Sequence, residues 1–399
     1  MIFALHWWGF IEKYKKWIRP AVFENVRKIM TCRSPELGFH LYGCPGCGKL
    51  KIIPHSCKSR FCPVCGKIAT DKWAQGVLND LLDVHYHHLV LTVPWELRPI
   101  MLMNRKITFD VLFKAAIKSI SDWAKMRWNM RMGIIAVLHT FGGDLKFHPH
   151  IHLIVTGGGL SIDGDKWIEL DPKFLMPHSG LKKRWRYNVV KMFGKLHKKG
   201  KLRFPKSSSY LKEIKCFNGL MSKIYKYMWY AFIGASLLDP TASVQYIGRY
   251  TKRAVLAEYR ITYYDEKIIR FRFKDYAQGK TSYKTLSIFS FIRRIIQHIP
   301  DKWFRMIRHA GIFSNRWKSR YMPVARKLIG QKGSDTSVKD NNSSPNWRAR
   351  QIDYTGKDPL YCDRCKQPMR FIGAFFGAHY RLNMIWSVSI SQRLFYKPG

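Results

Sequence analysis

Apolar positions recur at helical spacing along some stretches of the chain and at alternate positions along others, and the two periods mark out its elements. Trp17 to Met30 reads as an amphipathic helix interrupted by Pro20, and Ile107 to Asn129 as a long helix with Phe109, Leu112, Phe113 and Ile117 on one side. His88-Leu89-Val90-Leu91-Thr92-Val93 has the make-up of a strand and ends at Pro94. Gly133 to Phe141 and His150 to Thr156 are two further strands, joined across Gly142-Gly143-Asp144 and closed by Gly157-Gly158-Gly159, which predicts an antiparallel hairpin. Tyr259 to Tyr264 and Ile268 to Lys274 predict a second hairpin around Asp265-Glu266-Lys267. Asp239-Pro240 supplies an N-cap and a first-turn proline for a helix through Leu256, and Phe291 to Ile307 reads as a helix broken by Pro300. Over residues 182–215 the density of Lys and Arg hides any period, so helix, extended arm and insertion all fit. Gln331 to Pro345 holds almost no apolar residue and reads as a disordered linker. Helices and strands mixed in this way predict an α+β chain.

The texture changes between Cys32 and Gly66, which is short, punctuated by Gly and Pro and rich in Cys and His, as in a small loop-built module that needs a staple. Cys44-Pro-Gly-Cys47-Gly48 and Cys62-Pro-Val-Cys65-Gly66 each put two thiolates on a tight turn. Together Cys44, Cys47, Cys62 and Cys65 would complete the four-sulfur tetrahedron that zinc prefers. Cys32, His40, His55 and Cys57 lie close by in sequence and can furnish a second zinc or replace a ligand. Cys362-Asp-Arg-Cys365 near the C-terminus is half of a further site, completed by His379 or by nothing, and Cys216 reads as a small core residue. Closed sites of this kind are structural, so the module would bind or position a ligand rather than catalyse.

Charge narrows the choice of ligand. Seventy Lys and Arg against 26 Asp and Glu leave a net charge of +44, which calls for nucleic acid, an anionic membrane surface or a very acidic protein. A hydrophobic share of 46% with 15% aromatics excludes a disordered basic tail. The longest apolar run, around Trp229 to Leu238, is about half of the ~20 residues a membrane span needs. The first eight residues lack a basic leader, and tight cysteine pairs suit a reducing compartment, so a cytoplasmic protein is expected. Basic clusters at Lys182–Tyr187, Lys195–Arg203 and Arg249–Arg253 alternate with Trp185, Tyr187 and Phe204, which can stack on unpaired bases.

His148-Pro149-His150-Ile151-His152 sits at the start of a predicted strand. Alternate side chains share a face, so His150 and His152 point one way and Ile151 and Leu153 the other, and two imidazoles on one face can hold a divalent ion. Tyr246 and Tyr250, at i and i+4 of a predicted helix, share a face with Arg249, Lys252 and Arg253 nearby as phosphate partners. A phenol with a pKa near 10 is a poor nucleophile at neutral pH, so a metal ion is needed to activate the phosphate it attacks.

These segments, in this order, resemble the rolling-circle insertion-sequence transposases, HUH enzymes with a His-hydrophobic-His motif, two tyrosines and an N-terminal zinc-binding domain. The resemblance is carried by Cys32 through Cys65, Leu91-Thr92-Val93-Pro94, Leu138 to Leu145 leading into His148-Pro149-His150-Ile151-His152, Tyr246-Ile247-Gly248-Arg249-Tyr250, Phe273-Lys274-Asp275-Tyr276 and Ile307 to Arg316. It implies a zinc-ribbon-like module over residues 1–75 and an HUH domain with a central antiparallel sheet flanked by helices over 76–325; beyond it, 326–350 reads as a flexible linker and 351–399 as a small C-terminal segment with a cysteine pair. It also implies that His150 and His152 hold catalytic Mg2+ or Mn2+, that Zn2+ is structural, and that Tyr246 and Tyr250 are nucleophiles which cut and rejoin single-stranded DNA through a 5′-phosphotyrosine. Its partners would be the single-stranded ends of its own element and target DNA, with host replication proteins and no membrane, at the nucleoid of a bacterial cytoplasm. His139, on the strand paired with His150 and His152, is the expected third ligand, with Asp144, His148 and Gln245 as competitors. Relatives often carry a histidine where this chain has Phe61, which counts against that position as a ligand. A plasmid or phage replication initiator or relaxase would share the chemistry, and an inactive zinc-dependent DNA-binding protein would share the charge.

Overall fold

The computed structural model describes residues 2–59, 61–62, 65–239, 241, 244, 248, 255–275, 278–331 and 347–376. In chain order the first elements are α1 (Ile2–Tyr14), α2 (Pro20–Met30), β1 (Phe39–Gly43), β2 (Leu50–Pro54), α3 (Cys65–Asp80) and β3 (Tyr86–Thr92). Then come α4 (Leu97–Met103), α5 (Arg105–Trp128), β4 (Met130–Phe141), β5 (Phe147–Ser161), β6 (Trp167–Glu169), α6 (His178–Lys198), α7 (Ile214–Lys226) and β7 (Ala231–Leu237). The remainder is β8 (Ile261–Tyr264), β9 (Ile268–Asp275), β10 (Lys280–Ser287), α8 (Ile288–Ile296), β11 (Ile307–Gly311), α9 (Lys318–Leu328), α10 (Trp347–Thr355) and β12 (Arg370–Phe375).

The chain forms two units, Met1–Gly66 with Asp335–Gly399, and Lys67–Ser334. The division falls at the start of α3, and the described part of the C-terminal segment, with β12, belongs to the first unit. In the first unit Pro20 starts a helix instead of breaking one, because its missing N–H costs nothing at the first helical position. Trp7 and Phe10 of α1 bury their rings against each other, and Trp7 also packs on Phe23 of α2. The sheet of this unit runs β12-β1-β2, and the last strand pairs antiparallel with β1, placing Phe375 on Phe39 with ring centroids 4.9 Å apart.

In the second unit a sheet runs β11-β4-β5-β3-β7, every pairing antiparallel, with β6 added beside β5. One face packs on α5 and α6 through Leu89, Leu91, Ile151 and Leu153 against Phe113, Ala116, Trp185 and Val189. The other face carries Tyr86, Ile135, Val137 and Ile154 beneath Ala74 and Val77 of α3, Met322 and Ala325 of α9, and Val244. The β4–β5 hairpin is longer than the pattern predicts, since Gly157-Gly158-Gly159 continues β5 rather than closing it. A Cβ on Gly157 would meet the His85 ring at 1.8 Å, and one on Gly158 would meet the Ile168 carbonyl at 2.6 Å, so the glycines admit close neighbours, not a turn. The stretch from Phe291 also differs: α8 ends at Ile296, and Ile307 opens β11 at the sheet edge. Residues 182–215, ambiguous by pattern, contain most of α6, whose buried Trp185, Val189 and Phe193 face the core. Most of the expected helix from Asp239 and most of the expected linker from Gln331 lie outside the described residues.

Candidate functional site

Strand pairing assembles the site. The β4–β5 register sets His139 directly opposite His150, and cross-strand partners project from the same face. His152 follows on that face two residues along, so the three imidazoles meet with ring centroids 5.3 Å (His139–His150), 4.0 Å (His139–His152) and 5.0 Å (His150–His152) apart. One nitrogen from each lies within 4.8 Å of the others, close enough for all three to bind one ion. His139 and His152 are buried, and Ile151 and Leu153 point into the core behind them, as alternation requires. Asp144, a competing third ligand, is taken up in the hairpin turn, where it accepts from the Lys146 backbone N–H and pairs with its ammonium.

The surroundings favour ligands over acids. Burial pushes His150 down to about 4 and His152 well below its usual value, so at neutral pH both rings are neutral and keep a lone pair. The His150 Nδ1–H donates to the His148 carbonyl at 2.7 Å, which leaves Nε2 as the coordinating atom. His148 itself, down to about 3 through burial and then the neighbouring His150, stands beside this cluster with its ring 5.2 Å from that of His150. His88 was not foreseen from the sequence. Its Nε2 lies 2.8 Å from His152 Nδ1 and the two rings stack at 11°, so His88, on the adjacent strand β3, orients the His152 ring. The donor set of neutral imidazoles on a rigid sheet fits a divalent metal ion.

Tyr246, Arg249, Tyr250, Lys252 and Arg253 lie outside the described residues, as does Gln245. Two of their neighbours are described. Val244 is fully buried on the same sheet face as the three histidines, and Gly248 accepts a hydrogen bond from Thr70 Oγ1 at 3.4 Å. A Cβ on Gly248 would meet the Trp73 ring at 2.9 Å, so only glycine lets this backbone lie against α3.

The aromatics expected to stack on bases divide differently. Trp185 is fully buried and donates its Nε1–H to the Thr92 carbonyl, which removes it from any surface role, while Phe204 packs on His197 and Phe217. Only Tyr187 of the three is exposed, with Lys191 over its ring. A cleft of about 810 Å³ elsewhere on this unit has the better character, lined by Lys106, Lys302, Trp303, Arg305, Arg308 and Arg316 among others. Trp303 is 87% exposed and held at φ 65°, a left-handed conformation that a bulky residue seldom adopts. Arg308 is fixed there by Asp110 and by the Phe113 ring 4.3 Å away. The pattern missed this cleft because its residues come from α5, from the stretch before β11 and from the turn after it.

The eight cysteines outside Cys216 gather into two clusters, and not as their spacing suggests. Cys62 and Cys65 join Cys32 and Cys57, whereas Cys44 and Cys47 join Cys362 and Cys365. The expected single site of Cys44, Cys47, Cys62 and Cys65 is therefore not formed. Cys44 and Cys47 sit in the turn between β1 and β2, and all of β2 plus residues 55–61 separates them from Cys62. His40 and His55 pack on each other at 4.7 Å, with Phe371 and Phe376 beside them, outside both clusters. Hydrogen bonds from Cys57 and Cys62 hold Cys65 far below the usual thiol value, and the Cys365 backbone N–H leads in bringing Cys362 down to about 6.

The "Transposase zinc-binding domain" family model matches residues 2–93, and the "Putative transposase" model matches residues 133–320. The chain is 30% identical to the "Transposase for insertion sequence element IS801" of Pseudomonas savastanoi pv. phaseolicola, over 96% of this chain and 90% of that protein. It belongs to the IS801-type insertion-sequence transposases. It is also 31% identical to the "Putative transposase y4qJ" of Sinorhizobium fredii, over 86% of this chain and 87% of that one. No solved structure matches it. As a transposase the protein acts on DNA and carries structural zinc in its cysteine-rich unit, and no helix among the described residues is long and apolar enough to cross a membrane.

Proposed function

We propose that this transposase cuts and rejoins single-stranded DNA at the ends of its element, in a rolling-circle transfer, through a covalent 5′-phosphotyrosine. The observation that carries this reading is the cluster of His139, His150 and His152 on one face of the antiparallel sheet. These three would hold Mg2+ or Mn2+, which supplies Lewis-acid polarisation of the scissile phosphate. Tyr246 or Tyr250 attacks phosphorus with its phenolic oxygen, giving up the phenolic proton. The bond from phosphorus to the 3′ oxygen breaks, the 3′ oxygen takes up a proton, and the 5′ phosphate stays on the tyrosine. A 3′ hydroxyl from a second strand reverses the step, so joining needs no nucleotide cofactor. Val244 and Gly248, which flank Tyr246, lie against the histidine-bearing face and α3, in keeping with delivery of a phenol to that face.

Arg249, Lys252 and Arg253 would neutralise phosphates next to the tyrosines, and the cleft around Trp303 would grip unpaired bases by stacking. The work would be done in the cytoplasm on nucleoid DNA, with host replication proteins extending the freed 3′ end. Labelled single strands from the element's ends, incubated with Mn2+ or EDTA, test the reading. Cleavage should require Mn2+, fall by at least a hundredfold in His150→Ala and His152→Ala, and vanish in the double variant Tyr246→Phe, Tyr250→Phe. Cleavage that persists in EDTA or in the double variant would reject it, and binding of correct ends without cleavage would mark an inactive DNA-binding protein.

A further inference from the structure

The second cysteine cluster joins residues more than 300 positions apart. Cys44 Sγ lies 3.2 Å from Cys365 Sγ, Cys47 Sγ lies 3.6 Å from both Cys362 Sγ and Cys365 Sγ, and all four ligand atoms fall within 4.8 Å of one another. Four sulfurs about 2.3 Å from one zinc stand about 3.8 Å apart, whereas a disulfide would close one pair to about 2.05 Å. The observed spacings match the first arrangement, and every one of these cysteines is a free thiol. A backbone hydrogen bond closes each turn, Gly48 N donating to Cys44 O and Lys366 N to Cys362 O, so each pair of thiols is carried on a tight loop. Cys44 and Cys362 are buried with Met369, so the site is closed to solvent on one side.

Other contacts converge on the same junction. β12 follows Cys365 by five residues and pairs with β1, which leads into Cys44, while Lys49 forms an ion pair with Asp363 across the gap at 2.8 Å. The region matched as a zinc-binding domain ends at residue 93, so it supplies only half of these four thiols.

From this geometry we infer that Cys44, Cys47, Cys362 and Cys365 form a second zinc site, separate from that of Cys32, Cys57, Cys62 and Cys65, which clasps the C-terminal segment into the N-terminal unit. Soft thiolates select zinc over hard ions such as Mg2+ and Mn2+. The clasp makes the cysteine-rich unit a split one, completed only when the last part of the chain is present. A chain that stops before Cys362 lacks two ligands of this site and the strand that covers one edge of β1.

The test uses the full chain and counts zinc by elemental mass spectrometry. The wild type should hold two zinc ions. Cys362→Ser with Cys365→Ser should hold one, Cys44→Ser with Cys47→Ser one, and all four serines together still one. In the Cys362/Cys365 double variant, hydrogen exchange should speed up along β1 and leave β4 and β5 unchanged. One zinc in the wild type, or two retained without Cys362 and Cys365, overturns the inference. Should a variant fail to fold, alkylation of the wild type decides. On addition of a chelator Cys44, Cys47, Cys362 and Cys365 should lose protection together, and Cys362 and Cys365 reacting beforehand, or apart from Cys44 and Cys47, overturns it equally.

Discussion

Each histidine in the second unit does a job set by what surrounds its ring. His139, His150 and His152 face one another, so removing any one leaves two donors where three converge. His139→Ala, His150→Ala and His152→Ala should each weaken Mn2+ binding about tenfold or more in calorimetric titration, with DNA affinity retained. Unchanged Mn2+ affinity in His139→Ala would remove that residue from the ligand set. His298 illustrates a different role. Fully enclosed near Phe141, it hydrogen-bonds Thr140 Oγ1 at 3.2 Å and the Leu145 carbonyl at 3.1 Å, fastening the hairpin turn to the end of α8. Burial lowers it to about 3, so the fold favours the neutral ring. Its contribution to stability is fully present above the unfolded value near 6.5 and is lost as pH falls from there toward 3, at about 1.4 kcal/mol per pH unit. Urea midpoints of wild type and His298→Gln should therefore converge between pH 7 and pH 4. Parallel pH profiles would show that His298 is not held neutral.

At the scale of elements, the hairpin β4–β5 does the assembling. A slip of one residue would turn His139 to the opposite face, into the core under α5, so the register assembles the histidine cluster as much as the residues themselves do. The cleft around Trp303 is likewise a product of where elements meet, α5 against the entry and exit of β11. Because Trp303 is almost wholly exposed, Trp303→Ala should leave the melting temperature in place and weaken single-strand binding by about 5- to 100-fold, the worth of one stacked base. Equal affinity in a fluorescence titration would deny the cleft that role. The hairpin and its histidines were legible in the sequence because two apolar runs flank Gly142-Gly143-Asp144 and the histidines alternate with Ile151 and Leu153. The extent of β5 was not, since three glycines read as a turn until His85 and Ile168 are seen to occupy the space of their side chains. Nor was β11 legible: Pro300 marked a break, but nothing local says that the next apolar residues join a sheet edge 170 residues upstream. Trp185 was misjudged for a related reason, because a basic helix hides its one buried stripe among lysines.

Over the whole molecule, a net charge of +44 is the property that DNA would use first. Binding of a single strand should fall about a hundredfold or more between 50 and 200 mM salt if six or more phosphates are contacted. A flat response, followed by filter binding, would contradict a phosphate-held strand. The cysteine spacing pointed to metal but joined Cys44 and Cys47 to Cys62 and Cys65, since Cys-x-x-Cys pairs are alike in sequence and only the fold brings residue 362 to residue 44. The central claim is that one of two tyrosines carries the cut strand, and it is tested most directly by digesting the Mn2+-dependent protein–DNA adduct and locating the attached nucleotide by mass spectrometry. The account predicts a phosphodiester on Tyr246 or Tyr250. Attachment at any other residue, or complete cleavage of correct ends with no attachment trapped, would contradict it.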